Sequence, residues 1–544
     1  MDPYRSDHSA RATSADVPRD RGIVGDVIAQ FADPLAFYRE LIQNAIDAGS
    51  PSVDVRLDYD ASASVVRVAV RDRGEGMTRD ILENQLLVLF RSTKEKDDSK
   101  IGKFGIGFTS VLSPNPEVVV VQSSRDGRRL TLHLQRDLTY QLFDSGPATQ
   151  TGTSVELDLA MRSDQVAEFA RNSIAALTRW CRHASVPVHF VAEVPAGGEA
   201  GHDKLEARID RPLALDGALV EVSRTTDDGK LTVVAGLLPG ATAYTGFFNH
   251  GLMLHESTES LLGPIAVKIQ DDRLGHTLSR DDVRRDASLD RALAFAREVI
   301  AEALPRAAAT ELHRTAQSDH PRWSLLASAI CEAKVELPSS GWWFPLLAAS
   351  GQALAIQATG LGRTAWVASQ ADELTARLIE RGEHVLVAPP NERSFLAKLV
   401  ESLASCRLRD VEGLTAITPI EPGPADTAIL AMMTELFALA HRAPRALFVA
   451  KLDGKYVDAL AVACDGDGAQ LIDGDQAARN PFGRRTCGLA ISARHGWYRA
   501  ALAGDPRAGA SLLVRVLLNE HGLLDAPRST ALLDDLLVKI GVQT

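Results

Sequence analysis

The feature that most restricts this chain's fold is a pair of alternating runs, SVDVRLDY at 52–59 and SVVRVAVRD at 64–72, separated only by DASA. Period-2 alternation sends the apolar side chains to one face, and the short polar break predicts an antiparallel hairpin with one face to be covered. The preceding stretch YRELIQNAIDA (38–48) supplies a cover. At helical spacing Leu35, Tyr38, Ile42 and Ile46 form an apolar stripe, while Arg39, Glu40, Gln43, Asn44 and Asp47 fall on a polar arc. More alternating runs follow at 117–123 (EVVVVQS), 129–134 (RLTLHL) and 153–159 (TSVELDL), and a helix DQVAEFARNSIAALTRWC closes the unit. The expectation is an α+β domain of antiparallel sheet under helices.

At 544 residues the chain is too long for one core, and the size prior gives about three or four domains. Its balance of 45% apolar and 24% charged residues is that of a soluble protein. No apolar run approaches the roughly twenty residues that cross a bilayer, so a membrane span is not expected. A formal charge of -12 argues against a nucleic-acid-coating surface. The five cysteines are scattered and lack CxxC spacing, which indicates neither a disulfide framework nor zinc. Residues 1–20 read as a flexible polar tail without an apolar h-region, so the expected location is the cytoplasm.

The first domain is expected over 21–195. The segment VPAGGEAGHDKLEARIDRP is rich in Gly, Pro and charge, and 196–212 read as a linker. A second domain over 213–405 has strands near LTVVAGLL, TGFFNHGLML and IAVKIQD, then a polar turn opening a long helix in HTLSRDDVRRDASLDRALAFAREVIAEAL. Within it, TAWVAS, ADELTARLIER stopped by Gly382, and HVLVAPP make a βαβ pattern, hence a small parallel α/β layer. The remainder, 406–544, holds the strand RALFVAKL and the apolar helices ASLLVRVLLNE and TALLDDLLVKI, stripes that suit either a core or a dimer interface.

Two glycine-bearing motifs carry chemistry. DRGEGM puts Asp72 at a strand end, followed by Gly74 and Gly76, which allow a tight turn or the close approach of a flat ligand. GKFGIGF (102–108) is a glycine-rich loop, built either for conformation alone or for phosphate, which exposed backbone N–H groups and a helix start attract.

Taken in order, E-x3-N-x2-D from Glu40 to Asp47, D-x-G-x-G-M at 72–77, the glycine loop and the pair Gly152–Thr153 resemble the Bergerat-type ATP-binding fold. Gyrases, heat-shock chaperones, histidine kinases and mismatch-repair ATPases share that fold, and the likeness covers roughly 21–185. It implies an α/β sandwich that binds ATP with Mg2+. By the resemblance Glu40 matches the general base that activates water, Asn44 the magnesium ligand, and Asp47 a supporting polar group. Asp72 matches the adenine-reading carboxylate, helped by Thr153, with Gly74, Gly76 and Met77 lining the base pocket. Gly102, Lys103, Phe104, Gly105, Ile106, Gly107 and Phe108 form the phosphate loop, and Lys94 approaches the phosphates as part of a lid.

Within that superfamily the chain is most similar to the ninety-kilodalton heat-shock chaperones. Their FRELISNASDA and IGQFGVGF forms are close to FYRELIQNAIDA and IGKFGIGF here, and Arg280 in LSRDDVRRD looks like their catalytic arginine. Ser279 also suits a helix N-cap, and the role of Arg284 stays open. The resemblance implies an α/β middle domain and an α+β C-terminal domain that dimerises. The segment between Met77 and Ile101 and the middle domain are both shorter than in those chaperones, which puts client handling in doubt. The expected function is an ATP-driven, homodimeric chaperone acting on client proteins. The alternative is a non-chaperone ATPase switch in a stress or antiphage system that regulates one partner. A nucleic-acid clamp is disfavoured by the acidic charge and by Arg280.

Overall fold

The hairpin forms as its alternation requires: β1 (Val53–Asp60) and β2 (Val65–Asp72) pair antiparallel from Val53 opposite Asp72 to Asp60 opposite Val65. The computed structural model describes residues 33–87, 107–195, 202–277, 282–482 and 487–524. They fall into two compact units, 1–307 with 328–335, and 308–327 with 336–544.

In the first unit the hairpin lies inside an eight-stranded sheet. On one side β2 is followed by β6 (Gly152–Ala160), β3 (Val118–Arg125), β4 (Arg128–Gln135) and β5 (Tyr140–Pro147). On the other side β1 meets β7 (Val188–Pro195) in parallel, and β7 pairs antiparallel with β8 (His202–Arg208). The helices α1 (Phe37–Asp47) and α2 (Ser163–Cys181) share a single core with the sheet, in which Phe37, Tyr38, Ile42, Val55, Val68 and Leu157 are all essentially sealed from water. Each such side chain contributes roughly 1.5–3 kcal/mol by burial. Tyr38 also donates its hydroxyl to Ser173 Oγ at 3.0 Å, which fixes α1 against α2.

Two segments of this sheet depart from the sequence reading. Strand β5 was not expected, and residues 202–208, read as linker, form β8. Both are edge strands with many charged or polar side chains, where one partner strand stabilises the backbone and apolar periodicity is weak.

A five-stranded sheet of order β12-β11-β13-β10-β9 follows in the same unit: β9 (Val220–Thr225), β10 (Leu231–Leu237), β11 (Tyr244–Asn249), β12 (Leu252–Ser257) and β13 (Ala266–Asp271). Helix α3 (Ala287–Glu298) then begins behind Asp286, whose carboxylate accepts from the Ser288 and Leu289 N–H groups. The described cap is therefore Asp286; Ser279 and Arg280 lie outside the described residues. Arg284 pairs with Asp286 at 2.6 Å and so braces this cap.

Two helices, α4 (Leu304–Ser318) and α5 (His320–Ala333), come next in sequence. In the second unit the βαβ pattern appears as β14 (Thr364–Ala368), α6 (Glu373–Glu380) and β15 (Val385–Val387), with β14 and β15 parallel. Gly382 ends α6 at φ 79, a left-handed position that favours glycine. A second five-stranded sheet there includes β16 (Ala446–Gly454), and the helices α7 (Pro424–Leu439), α8 (Gly496–Ala503) and α9 (Pro506–Glu520) share a core with it. The stretch TALLDDLLVKI lies outside the described residues. No helix among the described residues is long and apolar enough to cross a membrane.

Candidate nucleotide site

The turn after β2 is stitched to the end of α1. Glu75 N–H donates to the Ala48 carbonyl at 3.0 Å, and Arg73 N–H to Ser50 Oγ at 2.8 Å. Gly74 is required for this contact, because a Cβ there would stand 2.7 Å from Ala48 Cβ and from its carbonyl oxygen.

Asp72 sits at the centre. Its Oδ1 accepts from the Gly74 N–H at 2.8 Å and from the Thr153 N–H at 3.2 Å. Among the described residues Oδ2 accepts no such bond, which leaves it for an external donor such as an exocyclic amine. Burial is the main influence on this carboxyl and raises its pKa, and the two backbone donors oppose it.

Ser123 Oγ links the other edges, accepting from Met77 N–H at 2.8 Å and lying 2.9 Å from Thr153 Oγ1. Gly76 takes φ 71, and a Cβ there would lie 2.2 Å from the Ser124 carbonyl oxygen. Asp72, Gly74, Gly76, Met77 and Thr153 are thus brought into one bonded cluster. Ser123 and Ser50 complete it and were not anticipated. The structure shows Ser123 fully buried on β3, where the valine run 118–121 gives way to Gln122, Ser123 and Ser124, and that change from apolar to polar residues is the one signal the sequence offers.

Helix α1 presents its polar residues unevenly. Asn44 and Asp47 are exposed, with Gln43 Nε2 donating to Asp47 Oδ1 at 3.0 Å. Glu40 and Arg39 are buried, at 8% and 5% exposure, and form an ion pair of 2.8 Å. The polar arc of α1 is therefore covered at Arg39 and Glu40 and open at Asn44 and Asp47. Gly107 precedes a helical turn over Phe108–Leu112, and the Phe108 side chain belongs to the core. Lys94, Gly102, Lys103, Phe104, Gly105, Ile106 and Arg280 lie outside the described residues.

The chemistry of these groups fits an adenine nucleotide: an acceptor carboxylate at the bottom of a glycine-shaped turn and an exposed carboxamide on the adjoining helix. Among the described residues no group of three or more His, Cys, Asp or Glu is gathered to hold a metal. One amide oxygen suits a hard cation whose remaining ligands are phosphate and water. A separate cavity of about 350 Å3, lined by Leu35, Asn115, Glu117, Arg136 and Met161 among others, includes none of the residues of this cluster.

Residues 38–156 match the family model described as Histidine kinase-, DNA gyrase B-, and HSP90-like ATPase. The eight-stranded sheet and the helices that pack on it make an ATPase-type α/β sandwich around this segment. Among curated proteins the chain is similar to Chaperone protein HtpG of Idiomarina loihiensis, at 27% identity over 203 residues, covering 32% of this chain and 31% of the relative. The corresponding protein of Bordetella parapertussis is 26% identical over 206 residues, covering 31% of each chain. That of Shewanella denitrificans is 28% identical over 207 residues, covering 33% of this chain and 31% of the relative. The chain thus spans about a third of the length of the curated relatives it matches.

Proposed function

We propose that this chain binds and hydrolyses ATP and uses the nucleotide cycle as a chaperone of the ninety-kilodalton heat-shock type, closing the N-terminal domains of a homodimer on client proteins. The observation that carries the reading is Asp72, tethered through Oδ1 by Gly74 and Thr153 with Oδ2 left for the adenine amine. In this reading Glu40 is the general base for the attacking water, and Asn44 holds Mg2+, which would neutralise phosphate charge. Asp47 supports them. Gly102 to Phe108 cradle the phosphates with Lys94, and Arg280 stabilises charge developing on the γ-phosphate. Dimerisation is assigned to the C-terminal helices, and the protein to the cytoplasm.

Phosphate release by the whole chain tests the engine. Glu40→Ala should bind ATP and fail to turn over, Asp72→Asn should fail to bind, and Arg280→Ala should bind ATP and turn over slowly. Suppression of aggregation of an unfolded test protein, dependent on ATP and on Glu40, tests the chaperone role. Hydrolysis without that suppression, together with stable binding to one folded partner, would favour an ATPase switch instead.

A further inference from the structure

Arg39 and Glu40 are neighbours on α1, and neighbouring helical residues point about 100° apart rather than toward each other. Yet Arg39 places both Nε and Nη2 on Glu40 Oε1, at 3.3 and 2.8 Å. One group outside the helix stands against the guanidinium. That group is Trp180, near the end of α2: the Arg39 guanidinium carbon stands 5.2 Å from the indole centroid. Arg179 also lies against this ring, its guanidinium carbon at 4.7 Å, and is itself paired to Glu256 on β12 at 3.2 Å.

The indole N–H is buried and has no acceptor among the described residues. The residue as a whole is partly buried, and its ring face is the part that the Arg39 and Arg179 guanidiniums meet. Another titratable group beside the ion pair is the Cys181 thiol, pushed up to about 12 mainly by burial and therefore neutral near pH 7.

We propose that Trp180 is a positioning residue for the hydrolytic reaction: its ring face holds Arg39 on Glu40, fixing the orientation and the charge of the proposed base. The contacts Glu256–Arg179–Trp180–Arg39–Glu40 also connect the five-stranded sheet β9–β13 to that base. The inference rests on the assignment of Glu40 above. An opposite charge at hydrogen-bond distance favours the carboxylate, so loosening Arg39 raises the pH at which Glu40 ionises.

The experiment compares wild type, Trp180→Leu, Trp180→Phe, Arg39→Ala and the double variant Trp180→Leu/Arg39→Ala as whole chains, with melting curves to verify folding. Trp180→Leu should lower kcat for ATP about three- to tenfold, the size of a partly desolvated cation–π contact, with KM unchanged. The acid limb of its kcat profile should move to higher pH. Trp180→Phe keeps a ring face and should recover most of both effects. The double variant should be no slower than Arg39→Ala, since Trp180 acts through that side chain. A folded Trp180→Leu with wild-type kcat and acid limb, or losses that simply add in the double variant, would overturn the inference and leave the assignment of Glu40 intact. Wild-type turnover by Glu40→Ala would instead remove the assignment itself.

Discussion

The Asp72 carboxylate accepts the backbone N–H of Thr153 at 3.2 Å, a bond between residues 81 positions apart that joins the end of β2 to the start of β6. With the Gly74 N–H on the same oxygen, this bond orients the carboxylate, and in the proposed function its second oxygen receives the ligand. Gly152 makes the approach possible: it sits at φ 133, and a Cβ there would lie 2.3 Å from the Asp72 carbonyl oxygen.

Asp72→Asn retains an acceptor for the two backbone N–H groups but turns the free oxygen into a donor facing a donor. ATP affinity measured by calorimetry should fall at least about a hundredfold, in line with the roughly 1.5–3 kcal/mol of a charged hydrogen bond plus the repulsion of two donors. Burial disfavours the ionised form of Asp72, so the same variant without nucleotide should melt no lower than wild type. Loss of binding accompanied by a large drop in melting temperature would mean that Asp72 is structural.

The same burial sets a pH dependence. Because the Asp72 pKa is raised, the carboxylate takes up its proton at a higher pH than the ordinary value of about 3.9. If only the ionised form accepts from adenine, ATP affinity should weaken on acidification before ordinary carboxylates titrate. Dissociation constants measured between about pH 4 and 8 check this. Affinity that is flat down to the ordinary carboxylate range contradicts it.

Gly76→Ala tests the turn itself. The left-handed backbone costs an L side chain roughly 1–2 kcal/mol, and the Cβ would meet the Ser124 carbonyl oxygen at 2.2 Å. Overlap with backbone cannot be relieved by a rotamer change, so the total loss should be at least about 2 kcal/mol, read as a drop of several degrees in melting temperature. Gly127, at φ 75 with nothing near its Cβ, is the control and should lose less as Gly127→Ala.

Much of this fold is legible locally. The β1–β2 hairpin, β3, β4, β6 and α2 follow from alternation and helical periodicity, since their inward residues, such as Val55, Val68 and Leu157, meet a shared core. Strands β5 and β8 escape that reading because YQLFDSGP and HDKLEAR carry little apolar alternation, and their pairing is decided by β4 and β7. The site divides in the same way. Asp72, Gly74 and Gly76 stand in one motif, and the residue types announce a tight turn. The burial of Arg39 and Glu40 was not readable, because it depends on groups distant in sequence, such as Trp180 against Arg39. Nor was the cap at Asp286, which competes in sequence with SRDD just before it.

His183 and Lys268 provide a last test, away from the Asp72 cluster. The buried Lys268 Nζ lies 3.0 Å from His183 Nε2 and donates to the Ala214 carbonyl at 2.7 Å, while His183 Nδ1 lies 3.0 Å from the Arg211 carbonyl oxygen. This arrangement requires a neutral imidazole, with Nδ1–H donating and Nε2 accepting. Burial, with Lys268 and Arg182 nearby, lowers the His183 pKa to about 4, against an ordinary value of 6.5. Between those values the unfolded chain binds a proton that the folded chain refuses, so stability falls as pH drops from 6.5 toward 4. The gap corresponds to about 3 kcal/mol. His183→Gln keeps an acceptor for Lys268 and removes the titration. Denaturant unfolding at neutral and acid pH should show the variant losing less stability than wild type, by an amount of that order. Equal losses in the two proteins would mean that His183 is protonated in the folded state well above pH 4.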